Sequence, residues 1–367
     1  MREGRKFPWQ TLLRLVVGGT LLVWIFHRIF LEEAKTAYGG AQPLWETLAR
    51  QEQWNLAWRL GPSQLWSTIR QLEPAAFGLS LVCVGLTILL GLIRWRIVLR
   101  AQGLELPFSR TAEISLVAQF FNAFLLGSTG GDLLKAYYAA RETHHKKPEA
   151  VVTVVIDRLL GLFSMLLFAC VLMIPNLPLL GSDFRFAAVA GIILAMMLAC
   201  GTIVLFCFRS GVSRRFPQAR QWLRNLPKGE SIERAVDAAR RLGNERLFLG
   251  KTLGLSMVVN IVCVLQVMLL ARGFGVGVPV LALSMIVPMV TCLSALPISL
   301  SGLGIREGLF VEMLGIPAIG LNPKVALSIS LLTFAGSLFW SVIGGVVYMT
   351  RKKQDHLEEI AETDEST

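Results

Sequence analysis

Long apolar runs separated by short polar stretches make up most of this chain. Runs that are long enough to cross a membrane as a helix occur at residues 11–30, 76–99, 150–174, 185–208, 251–271 and 325–349. A helix crosses the hydrocarbon core when roughly 20 mostly apolar residues follow one another. The pattern therefore predicts an all-α polytopic membrane protein with six full spans, arranged as a single transmembrane domain over residues 1–350.

Two further apolar segments do not fit a full span. Residues 112–126 would form about 23 Å of helix, which is shorter than the hydrocarbon core of roughly 30 Å. Residues 279–315 are interrupted in the middle by "LPISLSGLG". Non-helical backbone at membrane depth is tolerated only where it is buried in protein or lines a wet cavity. Both segments are therefore predicted to be broken, re-entrant helices.

The basic residues decide the predicted topology, because cytoplasmic loops carry an excess of lysine and arginine. They cluster before the first span and at residues 94–110, 135–147, 209–246 and 351–353. All these clusters lie inside if the first broken segment turns back, and the second broken segment then enters from the outside. The two segments would form an inverted repeat. Two kinked full spans, giving eight crossings, are the alternative, and both arrangements place the two termini in the cytoplasm.

Composition and charge agree with a membrane protein. Hydrophobic residues make up 54% of the 367 residues, and the net charge is +11. No aromatic and basic surface suited to bases accompanies this charge, so we assign it to the cytoplasmic loops and to anionic lipid, with no nucleic-acid partner. Residues 31–74 contain four tryptophans and are predicted to lie outside, along the membrane interface. Residues 351–367 are predicted to be an acidic cytoplasmic tail, disordered after Lys353.

The first broken segment ends in a glycine-rich stretch that is followed by charges. In "GSTGGDLLKAYYAAR", Gly127, Gly130 and Gly131 allow the backbone to leave helical geometry. Asp132 then begins a new helix, which also carries Lys135. An ordinary glycine turn with an acidic helix start would look the same. We treat this stretch as a candidate site because the next apolar helix carries two further charges, which need partners.

A second pair of charges lies within an apolar helix. Asp157 and Arg158 in "VVTVVIDRLLGLF" fall about 12 Å along a helix that starts near Pro148. Neighbours on a helix point roughly 100° apart, so these two side chains do not pair with each other. The nearest partners are Lys135 for Asp157 and Asp132 for Arg158. Ionisable residues within a membrane are functional-site hypotheses, and a structural ion pair between two helices is the alternative.

The second break has the same physical features as the first. It combines helix-breaking, hydroxyl and charged residues: Pro297, Gly302, Gly304, Ser299, Ser301, Arg306 and Glu307. The start of the returning helix offers free backbone amides, and Arg306 adds a guanidinium that binds an anion with two parallel hydrogen bonds. Arg306 is therefore predicted to be the main anion-binding residue.

The three blocks "GSTGGDLLKAYYAA", "VVIDRLLGL" and "LPISLSGLGIREG" resemble the lysylphosphatidylglycerol synthase transmembrane-domain family, also described as flippase-like membrane proteins. The resemblance covers roughly residues 75–350. It implies a protein that moves or handles lipids in the bacterial inner membrane, with relatives linked to aminoacylated phospholipids, hopanoids and glycolipids. Synthase members carry a large soluble aminoacyl-transfer domain after the membrane part, whereas only about eighteen residues follow the last span here. Lipid synthesis is therefore not expected from this chain.

The sequence favours a lipid translocator. The two breaks are expected to form one polar cavity near mid-membrane, which receives the head group of an anionic or modified phospholipid or a related lipid. We expect no cofactor and no metal, and we find no sugar-transfer, acyltransfer or nucleophile-elbow motif. A membrane-embedded lipid-modifying enzyme, or an accessory subunit of a glycolipid or hopanoid biosynthesis or export system, is the alternative. A homo-oligomer or a complex with a lipid-modifying enzyme is compatible with the sequence.

The predicted topology places the loop after the first break in the cytoplasm. We replace the six cysteines of the chain by alanine and introduce His144→Cys. An impermeant maleimide added to intact cells should then leave position 144 unlabelled, and permeabilised cells should be labelled. Gln51→Cys, in the segment predicted to lie outside, is the control that should react in intact cells. Efficient labelling of position 144 from outside would contradict the re-entrant first segment.

Overall fold

The structure of the chain is a computed structural model, and it describes residues 48–124, 130–142, 147–208, 246–296, 302 and 304–365, and residues 20, 23, 24, 26, 27, 29–31 and 34. The described residues contain no β-strand. In chain order, the helices from residue 50 onwards are α1 (Arg50–Arg70), α2 (Pro74–Ala101), α3 (Phe108–Phe124), α4 (Gly130–Glu142), α5 (Lys147–Met173), α6 (Leu177–Ser182), α7 (Phe184–Phe208), α8 (Arg246–Gly273), α9 (Val280–Ser294), α10 (Ile305–Leu314) and α11 (Pro323–Glu365).

Five helices in the described part of the chain are long and apolar enough to cross a membrane. They are Pro74–Ala101, Glu149–Met173, Phe184–Leu205, Phe248–Gly273 and Pro323–Thr350. They confirm five of the six predicted spans, each boundary lying within three residues of the predicted one. The remaining span, 11–30, falls largely outside the described residues. The chain is therefore a polytopic helical membrane protein.

The internal contacts of the chain divide it into two compact units. The first comprises Met1–Val82, Leu172–Gly191 and Val264–Gly336, and the second comprises Cys83–Val171, Ile192–Cys263 and Ser337–Thr367. Helices α9 and α10, which flank the second break, belong to the first unit, and α3 and α4, which flank the first break, belong to the second. The predicted common cavity of the two breaks stays a prediction.

Helices α3 and α4 form an antiparallel hairpin in the second unit. At its open end, Arg110 Nε lies 2.8 Å from Glu142 Oε1. Burial disfavours the charged form of Arg110, but its hydrogen bonds to Glu113 and Glu142 dominate and raise the pKa of the guanidinium. At the closed end, the Gly131 backbone N–H donates to Asn122 Oδ1 at 2.8 Å. The chain therefore returns to the end from which α3 started, and entry of this hairpin from the cytoplasmic face stays a prediction.

The hairpin also packs closely on the last helix. Gln119 Nε2 donates to Ser337 Oγ at 3.3 Å, and Ser341 Oγ donates to the Gln119 carbonyl oxygen at the same distance. A side chain at Gly344 would collide with the backbone of Leu116. Small and hydroxyl residues allow helices to approach closely in membranes, where packing and hydrogen bonds replace the hydrophobic effect. These contacts fix α3 against α11.

The second break, in the first unit, depends on glycine. Helices α9 and α10 have 15 and 10 residues, so neither is long enough to cross the hydrocarbon core of roughly 30 Å. Between them, Gly302 has φ 74° and Gly304 has φ 85°. These are left-handed conformations that glycine adopts without strain. A side chain at Gly302 would in addition crowd Ser294 at the end of α9.

Two terminal regions are more ordered than the sequence pattern predicts. Residues 50–70, within the segment expected along the interface, form α1, and Trp58 Nε1 of this helix donates to His27 Nδ1 at 3.2 Å. The prediction that the tail is disordered after Lys353 is wrong for the part that is described, since α11 continues to Glu365. The reason is that the tail is rich in helix formers and extends a helix that the membrane span has already nucleated.

The closed end of the hairpin yields a stability prediction. A Cβ atom at Gly131 would overlap the Ala118 carbonyl oxygen, which belongs to backbone and therefore cannot move aside cheaply. Gly131→Ala should lower the free energy of unfolding by roughly 1–3 kcal/mol, measured by thermal melting in detergent. Gly91→Ala is the matched control, because a Cβ atom there meets nothing within 4 Å. Equal melting temperatures of the two variants would contradict the close approach of α3 and α4.

Candidate functional site

The candidate site is a cluster of buried charges in the second unit, centred on Asp157. Arg94 Nε lies 2.8 Å from Asp157 Oδ1, and Lys135 Nζ lies 3.5 Å from Asp157 Oδ2. The three side chains are only 13%, 12% and 10% exposed, in the order Arg94, Lys135 and Asp157. Each oxygen of one carboxylate thus faces its own cation. The predicted pairing of Lys135 with Asp157 is confirmed, and Arg94 is an additional partner.

Three membrane helices bring Arg94 into this position. Arg94 lies on α2, and its partner Asp157 lies on α5. The Nη1 atom of Arg94 also donates to Ser256 Oγ of α8 at 2.9 Å. The guanidinium passes over Gly161, where an added Cβ atom would lie 2.9 Å from Nη2. Gly161 follows Asp157 by four residues and therefore shares its helix face. The missing side chain at Gly161 makes the room that Arg94 needs.

Lys135 is held by an aromatic ring as well as by a carboxylate. Its Nζ lies 4.1 Å from the ring centroid of Trp95, which follows Arg94 on α2. Trp95 is fully buried, and its Nε1 donates to Thr153 Oγ1 at 3.3 Å. A cation over the face of a tryptophan is attracted by the ring quadrupole, and more strongly so when it is desolvated. The ring therefore offsets part of the cost of burying Lys135.

The second predicted pair is also confirmed, but it lies nearer to the surface. Arg158 Nε lies 3.4 Å from Asp132 Oδ2, and the two side chains are 50% and 25% exposed. Asp132 is in the first turn of α4, and the buried residues Gly130 and Gly131 begin that helix. Asp157 and Arg158 use different partners, as expected for neighbours on a helix.

Arg94 is the functional candidate that sequence reasoning missed. The sequence pattern placed it with the basic residues at the cytoplasmic end of its span. The position of Arg94 in the sequence nevertheless indicates burial in the membrane, because it lies about 10 Å before the end of α2 at Ala101, within an apolar helix. Its side chain also points back toward the start of the helix, and so deeper into the membrane.

The cluster carries an excess of positive charge. Arg94, Lys135 and Arg158 are cations, whereas Asp132 and Asp157 are anions. Among the described residues, Asp157 is the only carboxylate within ion-pair distance of Arg94 or Lys135. One carboxylate thus serves two nearly buried cations. A site of this kind suits a ligand that brings one negative charge.

The charges at the second break, in the first unit, balance each other. Glu307 is fully buried and accepts hydrogen bonds from the Gly304 backbone N–H at 2.6 Å and from Arg306 Nη2 at 2.5 Å. Arg306 Nε also donates to Ser330 Oγ at 3.3 Å, and its guanidinium lies 4.8 Å from the ring centroid of Phe334. Glu307 caps the start of α10 and neutralises Arg306. The predicted anion-binding role of Arg306 stays a prediction.

Four predicted site positions lie outside the described residues, namely Gly127, Pro297, Ser299 and Ser301. Within the described ranges, no group of three or more histidine, cysteine, aspartate or glutamate side chains is placed to hold a metal ion.

The fold and the buried charges define a polytopic helical membrane protein with ionisable residues inside its helix bundle. The profile of the family described as lysylphosphatidylglycerol synthase TM region matches residues 53–345, and the chain belongs to this family. A relative described as a UPF0104 membrane protein, from Methanothermobacter thermautotrophicus, is 23% identical over 289 residues, which are 73% of this chain and 82% of the relative.

The shared carboxylate yields a second stability prediction. Asp157→Asn leaves two nearly buried cations without an anion, so it should destabilise the fold by roughly 3–5 kcal/mol. Adding Lys135→Met removes one stranded cation and should restore part of that loss, measured as the coupling in a double-mutant cycle.

Asp132→Asn is the matched control for this prediction. Its partner Arg158 is half exposed, so the cost should be about 1 kcal/mol or less. Similar losses in Asp157→Asn and Asp132→Asn, or strictly additive effects of Asp157→Asn and Lys135→Met, would contradict the central role of Asp157.

Proposed function

We propose that this protein translocates an anionic phospholipid, or a related lipid with an anionic head group, across the cell membrane. The observation that carries the proposal is the buried cluster around Asp157, in which one carboxylate serves two nearly buried cations. Its setting is a family whose description names the membrane region of a phospholipid synthase. In this proposal the membrane is the bacterial inner membrane and both termini are cytoplasmic.

The energetics of charge in hydrocarbon support a transport role. Burying an ionised side chain costs several kcal/mol even after relaxation, and an apolar replacement of a buried ion pair is often as stable. Stability alone therefore does not explain why the chain has charged rather than apolar residues at positions 94, 135 and 157. A polar head group that passes through the membrane would explain them, because it needs donors and charges at a depth where water is absent.

The hairpin of α3 and α4 brings a charged side chain to this path on a helix that is too short to cross the membrane. Lys135 lies on α4, only a few residues after the break, and reaches Asp157 on α5. Transporter sites commonly use discontinuous helices whose free backbone groups face the substrate. We propose that the head group binds between the hairpin and α5 while the acyl chains stay in the bilayer. Arg306 and Glu307 would form the corresponding polar site of the other broken segment.

A reconstituted assay tests translocation. The purified protein is placed in phosphatidylcholine vesicles that contain fluorescent phosphatidylglycerol, and dithionite bleaches the outer leaflet with and without an imposed proton gradient. The protein should expose inner-leaflet lipid to bleaching under at least one condition. No acceleration under either condition would contradict translocation. Mass spectrometry of the same vesicles separates an enzyme from a transporter, because an enzyme would change the mass of the lipid.

Arg306→Lys tests the role of the second break. Lysine keeps the charge but loses the planar guanidinium that donates to both Glu307 and Ser330. We expect the rate of lipid movement to fall about tenfold or more, because a lysine cannot bind a head-group anion with two parallel hydrogen bonds as a guanidinium does. The melting temperature should fall less, because the lysine ammonium still neutralises the buried Glu307 carboxylate. Lys324→Arg, in the first turn of α11, is the control and should leave the rate unchanged. Full activity of Arg306→Lys would exclude Arg306 from the path.

A further inference from the structure

Asn260 is a buried polar side chain whose amide nitrogen lacks a partner. It lies near the middle of α8 and is 8% exposed. Its Nδ2 atom has no hydrogen-bond partner among the described residues. Buried polar groups in proteins are nearly always hydrogen-bonded, and leaving a donor unpaired costs roughly 1–3 kcal/mol. An unpaired buried donor can serve a ligand where other groups of suitable charge lie beside it, and Asn260 lies on such a face.

The face of α8 that carries Asn260 also contacts the charge cluster. Ser256 precedes Asn260 by one helical turn, about 6 Å along the same face. Ser256 Oγ accepts a hydrogen bond from Arg94 Nη1 at 2.9 Å and donates its own hydrogen to the Thr252 carbonyl oxygen at 2.8 Å. Arg94 is thus oriented toward the face of α8 that holds the unpaired amide.

Arg94 retains hydrogen-bonding capacity in this arrangement. A guanidinium has five N–H groups. Its described hydrogen bonds are those from Nε to Asp157 and from Nη1 to Ser256. Lys135, the second cation on Asp157, lies at the longer distance of 3.5 Å. Donors therefore remain on the cationic side, and Asn260 adds an uncharged donor from α8.

We infer that Arg94, Lys135 and Asn260 form a subsite for a phosphate diester, the group that links the head group of a phospholipid to its glycerol. This inference rests on the proposed function and specifies its substrate class. A phosphate diester carries one negative charge, which matches the single excess positive charge on Asp157, Arg94 and Lys135. Its oxygens only accept hydrogen bonds, which matches the donors that remain. A phosphate monoester would bring more negative charge than the site compensates.

Substitutions at Asn260 separate an effect on lipid binding from an effect on stability. Asn260→Leu removes an unpaired buried amide, so the melting temperature should stay the same or rise. Binding of dihexanoyl phosphatidylglycerol, measured by calorimetry on the full-length protein in detergent, should weaken about tenfold or more, because a hydrogen bond to a charged group is lost. Asn260→Asp should weaken binding further, since its charge cancels the excess positive charge.

Gln266→Leu is the matched control. Gln266 is 5% exposed on the same helix, and its Nε2 also lacks a partner among the described residues. Six residues separate it from Asn260, so it points about 120° away around α8. Gln266→Leu should bind the lipid as the unchanged protein does. Wild-type affinity in Asn260→Leu, tighter binding in Asn260→Asp, or an equal loss in Gln266→Leu would overturn the subsite.

Further ligands identify what the subsite binds. Dihexanoylglycerol, which lacks the phosphate, should not bind, and dihexanoyl phosphatidic acid, a monoester, should bind more weakly than the diester. Inorganic phosphate that binds as tightly as the diester would assign the site to a free ion and overturn the lipid subsite. The vesicle assay on the same variants separates the two proposals: lipid movement that is intact in Asn260→Leu would refute only the subsite, whereas no movement by the unchanged protein would refute translocation.

Discussion

The structure of the second unit depends on one carboxylate, that of Asp157. A charge within the hydrocarbon core needs a partner of opposite sign, because water is not there to solvate it. Asp157 is the partner of two cations at once, Arg94 of α2 and Lys135 of α4. It thereby links a membrane-spanning helix, the short hairpin and its own helix. Removing Asp157 would leave both cations without their shared anion, so the positions of these elements depend on this carboxylate.

The two breaks manage their charges in different ways. At the second break, the cation and its carboxylate are neighbours on one helix, and the carboxylate also caps the helix start, so the group is neutral and internally satisfied. Around the first break, the partners come from separate helices and the positive charges exceed the negative ones. The neutral group at the second break needs no further anion in this arrangement, whereas the unbalanced group around Asp157 suits the binding of an anion. This contrast leads us to place the phosphate near Asp157.

Much of this architecture was predictable from the sequence, because in membranes the length of an apolar run directly limits the structure it forms. Five of the spans, the interruption at Gly302 and Gly304 and the pairing of Lys135 with Asp157 all follow from helix geometry. Arg94 was not recognised, since a charge near a helix end looks like a loop residue until the direction of its side chain is known. The pairing of Arg306 with Glu307 was also missed, because it depends on rotamers of adjacent residues, and sequence spacing does not specify these.

Two glycines, Gly161 and Gly131, make room for the charged residues of this site. Arg94 reaches Asp157 and Ser256 because Gly161 leaves its helix face open, and the hairpin closes because Gly131 lies directly against the backbone of α3. In both places a methyl group would occupy space that a guanidinium or a helix now fills. The buried charges are therefore only as close as these glycines permit. The same small residues that let membrane helices approach also bring ionisable groups into contact at depth, so packing and electrostatics at this site are one constraint.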